Sequence, residues 1–390
     1  MSSAQPSLFT PFVLGGGAVE LKHRAVMAPL TRARGTKSEK HERTWVPNDL
    51  MAQYYGERAT DGGLIISEAT PVSVVASGLP GVPGMFTAEQ VENWKKITGA
   101  VHAKGGKMFS QIWHQGRNSH SCLSGMRPVS SSPVPISDAK HQWAGFDEED
   151  FEVPHALTEE EIQATQADFV AAAKRALEAG FDGVELHGAN GYLFDQFHHS
   201  NVNQRTDSYG GSYQRRCRFT LETVDKLIEA VGAERLGVRL APFAYFNDVR
   251  GEQRQEQWTY LCQQLSTKGL AYIHLVEPRF DEIRSEAEKL ASLSQINPMD
   301  KLEISLRPYR EACGTTPVIA AGGYNDKNMT EGLGTEHDLV AFGRYFCSTA
   351  DLVERLRTGQ KLLPYNRSRF YGPFPDNEIG YTVHPEQLQN

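Results

Sequence analysis

An α/β fold, a closed (β/α)8 barrel with capping insertions in its βα loops, is what the sequence predicts, and three observations carry that expectation. Eight short apolar runs recur along the chain, amphipathic helical patterns alternate with them, and polar or glycine residues gather just after nearly every run. The length, 390 residues, would suggest two or three domains at about 150 residues each, yet α/β barrels routinely run longer as one unit. Residues 1–390 are therefore expected to form a single TIM-barrel domain.

The runs, in order, are Ala25 to Met27, Leu64 to Ser67, Met108 to Ile112, Gly183 to His187, Leu236 to Leu240, Tyr272 to Leu275, Pro317 to Ala320 and Leu339 to Phe342. Each is short and apolar, as strands buried on both faces must be. Between them, Thr158 opens a helix with a capping box to Glu161; apolar positions follow at Ile162, Phe169, Val170, Ala173 and Leu177, and Gly180 ends it. A second helix runs through Leu221, Val224, Leu227, Ile228 and Val231 to Gly232. Weaker helical patterns occupy Glu92 to Ala103, Gln255 to Lys268, Met299 to Ala312 and Asp351 to Thr358.

In such a barrel the chemistry sits past the C-terminal ends of the strands. Those positions carry Pro29-Leu30-Thr31-Arg32, Glu68-Ala69-Thr70, Gln111-Ile112-Trp113-His114, the turn His187-Gly188-Ala189-Asn190-Gly191-Tyr192, Arg239, Gly322-Gly323 and Gly343-Arg344. Two insertions, Ser119 to Pro154 and Glu277 to Pro298, follow the third and sixth strands, where long loops usually cover a pocket.

Composition excludes several function classes. With 48 acidic against 40 basic residues the formal charge is −8, which argues against a nucleic-acid partner. No run approaches the ~20 apolar residues of a membrane span, and Met1 to Pro11 has no secretory pattern. The five cysteines are scattered without a CxxC pair, so neither a disulfide framework nor a zinc site is expected. A GxxxxGK[ST] loop and an HExxH helix are both absent, and Gly332-Leu333-Gly334 has His337 where a dinucleotide fingerprint needs glycine. The expectation is a cytoplasmic protein that binds no metal.

Several residues point to a chemistry. Gly322, Gly323 and Gly343 stand where barrels cradle phosphate on bare backbone amides, and Arg344 adds a matching cation. The plainer reading is two tight turns and a surface arginine; their place on adjacent strands favours phosphate. Arg239, inside an apolar strand, must be paired, for example with Glu185 or Glu68, or face a ligand. His187 and Asn190 can aim two donors at one carbonyl oxygen, and Tyr192 carries a phenol that holds its proton at neutral pH. Trp113, Phe370, Tyr371 and Tyr381 are candidate pocket walls or plain packing. Glu185 and Glu277 leave open a paired-carboxylate glycosidase.

From Leu8 to Pro385 these motifs resemble the Old Yellow Enzyme family of FMN-dependent ene-reductases, closest to its oxophytodienoate-reductase-like members. Met27-Ala28-Pro29-Leu30-Thr31-Arg32, Ile66-Ser67-Glu68-Ala69, the His187 to Leu193 turn and Asn203-Gln204-Arg205-Thr206-Asp207-Ser208-Tyr209-Gly210-Gly211-Ser212 carry the resemblance. It implies FMN across the barrel mouth. Pro29, Leu30, the Thr31 hydroxyl and the Ala69 amide would meet the flavin edge, Gln111 and Arg239 its pyrimidine end, and Gly322, Gly323, Gly343 and Arg344 its phosphate. It further implies a ping-pong cycle, with NADPH (or NADH) as reductant and an α,β-unsaturated carbonyl compound as the small-molecule partner. His187 and Asn190 would hold the carbonyl, Trp113 and Tyr371 wall the pocket, and Tyr192 protonate the α carbon. Isomerase, oxidase or desaturase chemistry on the same fold, and a non-catalytic flavin-binding role, are the alternatives. A monomer or homodimer is expected. The chain departs from the family pattern at Gln214-Arg215-Arg216, where a carboxylate is usual, and at Gly380 to Pro385.

Overall fold

The computed structural model describes residues 7–76, 79–137, 139–140, 149–281, 285–294 and 303–383. Eight parallel strands close into a barrel: β1 (Ala25–Met27), β2 (Leu64–Ile66), β3 (Lys107–Trp113), β4 (Gly183–Gly188), β5 (Leu236–Leu240), β6 (Tyr272–Val276), β7 (Val318–Ala321) and β8 (Leu339–Phe342). Closure is seen in two registers. Phe342 pairs with Met27 across β8–β1, and Glu185 pairs with Gln111 across β3–β4. All eight expected strands are present, with ends moved by a residue or so.

Period-two alternation sorts the side chains of each strand. One set faces the helices: Val184, Leu186, Val238, Leu240, Ile273 and Leu275 are buried in the large outer core. The other set fills the barrel: Val26, Leu64, Ile66, Phe109, Tyr272, Ile319 and Leu339 pack with Leu14, Val19 and Leu21 of the hairpin Phe12–Leu14/Val19–Leu21. Gly237 is needed there, because a Cβ on it would overlap the Tyr272 ring.

The helices packed around the barrel are α1 (Asp49–Arg58), α2 (Ala88–His102), α3 (Glu159–Glu178), α4 (Arg218–Val231), α5 (Arg254–Ser266), α6 (Arg307–Ala312) and α7 (Leu352–Thr358), and further helical pieces, among them Glu286–Ser294, lie in the loops. The Thr158–Glu161 capping box forms as expected. One expectation is corrected. Met299 to Ala312 does not run as one helix: residues 299–302 lie outside the described residues, and α6 starts at Arg307, with Pro308 in its first turn. A proline fits that turn, but farther along it would clash with the carbonyl four residues earlier. The connection from β7 to β8 is made of turns rather than a helix. Of the two insertions, residues 138, 141–148, 282–284 and 295–298 lie outside the described residues.

Three buried arginines strap the C-terminal segment to the barrel mouth. Arg32 donates to the carbonyls of Phe370 (3.0 Å) and Gly380 (2.8 Å), Arg34 to Arg369 (2.9 Å) and Asn377 (3.0 Å), and Arg58 to Phe346 (2.7 Å) and Tyr381 (3.1 Å). Hydrogen bonds from charged donors contribute about 1.5–3 kcal/mol each. Among the described residues no helix is long and apolar enough to cross a membrane, and no three His, Cys, Asp or Glu side chains group as a metal site.

Candidate active site

A cavity of about 720 Å³ opens at the C-terminal mouth of the barrel. The β1 exit contributes Pro29, Leu30 and Thr31 to its lining, β2 contributes Ala69, and β3 Gln111 and Trp113. From β4 come His187, Asn190 and Tyr192, from β5 Arg239, from β7 Gly322 and Gly323, and from β8 Gly343 and Arg344. Tyr371 and Phe370 join from the strapped C-terminal segment. Barrel closure brings them together, since they lie at or just past the C-terminal ends of seven strands, with Phe370 and Tyr371 added by the C-terminal segment.

The floor under one end is polar. Gln111 Nε2 donates to Glu185 Oε1 at 2.7 Å, and the other carboxylate oxygen lies 2.8 Å from His274 Nδ1. Burial pushes the Glu185 carboxyl up, but His274, Arg239 and Gln111 outweigh it and hold it below the usual carboxylate range. Arg239 lines the cavity beside this cluster.

The β4 turn is fixed from three sides. Asn190 and Gly191 both take the left-handed backbone (φ 58° and 73°) that asparagine and glycine tolerate. The Gly191 N–H donates to Asp195 Oδ2 at 2.8 Å, Gln196 Nε2 donates to the Gly191 carbonyl at 2.9 Å, and Asn247 Nδ2 to the Asn190 carbonyl at 2.9 Å. Burial and the Arg239 charge hold the His187 imidazole well below its ordinary pKa, so it is neutral. Its Nδ1 accepts from the Ala189 N–H at 3.3 Å, which leaves the proton on Nε2. Asn190 Oδ1 is buried with no hydrogen-bond partner. The Tyr192 ring stands edge-on to Trp113 (4.9 Å) and to His187 (5.1 Å), so the three aromatic residues fix one another.

At the opposite end lies the glycine cradle. Gly322 has φ 139°, and a Cβ on it would fall 2.8 Å from the Cβ atoms of Glu277 and Phe280, so the backbone there is bare by necessity. Gly323 has φ 73°. Arg344 Nη2 donates to the Asp281 carbonyl at 2.6 Å, with its guanidinium over the Phe280 ring. The sequence reading missed Arg279, whose Nε donates to the Gly322 carbonyl at 3.0 Å and braces the cradle.

Two readings left open by the sequence are decided. Tyr381 is no pocket wall: it is fully buried and stacks on Tyr54 at 3.9 Å, beneath the arginine straps. Glu185 and Glu277 do not face each other across a cavity, for neither lines it, and Glu277 accepts from the Tyr324 hydroxyl at 2.6 Å. The sequence reading also overlooked Phe246 and Asn247 after β5, and Phe151 in the third-strand insertion, all of which line the cavity. An aromatic-rich run, Phe243 to Phe246, was the available signal.

Fold and site together define a barrel whose mouth places bare glycine backbone with Arg344 at one end and His187, Asn190 and Tyr192 at the other. The bare Gly322 backbone, with no room for a Cβ, and the adjacent Arg344 fit a flat phosphorylated cofactor such as FMN. Residues 7–362 match the model of the NADH:flavin oxidoreductase / NADH oxidase family. The chain is 46% identical over 396 residues to the flavin oxidoreductase hxnT of Emericella nidulans, covering 99% of this chain and 98% of that protein. It is 42% identical over 381 residues to 12-oxophytodienoate reductase 2 of Arabidopsis thaliana, covering 97% and 95%. The structure of the Old Yellow Enzyme homologue from Zymomonas mobilis superposes with a TM-score of 0.86 at 34% identity, over 97% of this chain and 99% of that one. The chain belongs to the Old Yellow Enzyme family of NADH:flavin oxidoreductases, whose typical cofactor is FMN.

Proposed function

We propose that the protein reduces the C=C bond of α,β-unsaturated carbonyl compounds, with NADPH or NADH as the source of electrons. The observation that carries this reading is the convergence of His187, Asn190 and Tyr192 on the same cavity as the glycine cradle. FMN would be held at its phosphate by Gly322, Gly323, Gly343 and Arg344, at its pyrimidine end by Gln111 and Arg239, and along its edge by Pro29, Leu30, Thr31 and Ala69; it supplies hydride transfer.

The chain's own residues do the rest. The Nε2–H of His187 and the Asn190 amide donate to the substrate carbonyl oxygen, orienting the double bond and stabilising negative charge as it develops there. A neutral imidazole suits this role, because it donates a hydrogen bond without giving up its proton. Tyr192 protonates the α carbon as general acid, worth about 10²–10⁴-fold. Trp113 fixes the Tyr192 ring, and Tyr371, 53% exposed at the rim, walls the entrance. The chain acts on this reading as one unit in the cytoplasm, with a small molecule as partner.

The binding half is tested with a phenol. Purified protein is expected to release FMN on denaturation and, when holo, to give a long-wavelength charge-transfer band with p-chlorophenol. Changing His187→Ala and Asn190→Ala together should weaken the phenol about 10- to 100-fold, the loss of one or two good hydrogen bonds. Unchanged affinity would remove the pair from the carbonyl-binding role.

A further inference from the structure

We propose that Glu185 is a positioning residue of the flavin site: its carboxylate, one layer below the cavity floor, fixes the Gln111 amide and offsets the Arg239 charge, and so sets the reduction potential of bound FMN. The inference rests on the flavin placement proposed above and deepens it.

Barrel interiors are normally filled by apolar branched side chains. Here one layer is polar. Strand register places Glu185 beside Gln111 across β3–β4 and Arg239 beside His274 across β5–β6, with His187 next to Arg239 across β4–β5. Glu185 and His274 are fully buried and do not line the cavity, whereas Gln111 and Arg239 do. The 2.7 Å bond from Gln111 Nε2 to Glu185 Oε1 draws the amide nitrogen down and turns its oxygen the other way.

Burial holds the His274 imidazole below its ordinary pKa, so it donates to Glu185 from Nδ1 as a neutral group, and its Nε2 is buried with no partner. His274 therefore adds no charge. Among the described residues this layer sets the Glu185 carboxylate near the Arg239 guanidinium. Reduction places negative charge at the flavin's pyrimidine end, so the net field of this layer favours one oxidation state over the other. Neutralising Glu185 removes negative charge from beside Arg239 and the pyrimidine end, and so favours the reduced form.

The test is the two-electron potential of the holoenzyme, measured anaerobically against a reference dye. Glu185→Gln is expected to shift the potential to a more positive value, and Glu185→Asp, which draws the charge back from Gln111 and Arg239, to shift it the same way by less. An unchanged or more negative potential in either FMN-loaded variant overturns the proposal. So does a folded apoprotein in both variants that no longer holds FMN, for the carboxylate would then serve binding alone. Failure of the underlying flavin-site reading looks different: wild-type protein would carry no FMN.

Discussion

Tyr192 presents its phenol to the cavity from a backbone turn pinned by Asp195, Gln196 and Asn247. Replacing it by phenylalanine keeps the edge-on packing against Trp113 and removes one proton donor. Tyr192→Phe is expected to slow the enone half-reaction about 10²–10⁴-fold and to leave reduction by nicotinamide within about twofold, read by anaerobic stopped-flow. Another residue-scale consequence concerns Glu68, which accepts from the Ala33 (3.2 Å) and Arg32 (3.4 Å) amides. Burial pushes its carboxyl up from 4.5 to about 7. The folded state binds this proton more tightly, so the stability it contributes is fully present below about pH 4.5 and lost as pH rises through about 7. Wild-type protein should therefore lose about 3 kcal/mol relative to Glu68→Gln between acid and mildly alkaline pH, measured by denaturant unfolding. His187, Asn190 and Tyr192 were legible in the sequence because three polar groups share six residues. Glu185 was seen as a carboxylate, but its partners His274 and Gln111 lie on other strands, and only the register joins them.

Among the elements, β7 and its exit glycines depend most on backbone geometry. A methyl group on Gly322 meets Glu277 and Phe280, and the backbone there holds φ 139°, which residues with side chains avoid. Gly322→Ala is expected to weaken FMN about 10- to 100-fold, matching strain of 1–3 kcal/mol, with the fluorescence of released FMN as the readout. The strands were readable because apolar runs bounded by polar residues need no partner to be recognised. The α6 boundary was not, since an apolar pattern continued through Pro308. Helix α1 escaped for another reason: its buried face, Met51, Tyr54, Tyr55 and Arg58, includes an arginine whose guanidinium meets backbone carbonyls far along the chain.

For the whole molecule, barrel closure assembles the site. The groups proposed to hold substrate leave from β3 and β4, those proposed to hold phosphate from β7 and β8, and the C-terminal segment reaches the mouth through Arg32, Arg34 and Arg58. That strap was invisible in the sequence, because arginine-to-carbonyl bonds across more than three hundred residues leave no local pattern. A net charge of −8 argued against a nucleic-acid partner but could not reveal the proposed local phosphate cradle. The central claim is that one cavity serves two half-reactions, and double-mixing anaerobic stopped-flow tests it most directly. NADPH or NADH should bleach the flavin absorbance, and 2-cyclohexenone mixed with the reduced protein should restore it while one equivalent of saturated ketone forms. Reduced protein that stays bleached with the enone and recovers its colour only in oxygen would contradict the account.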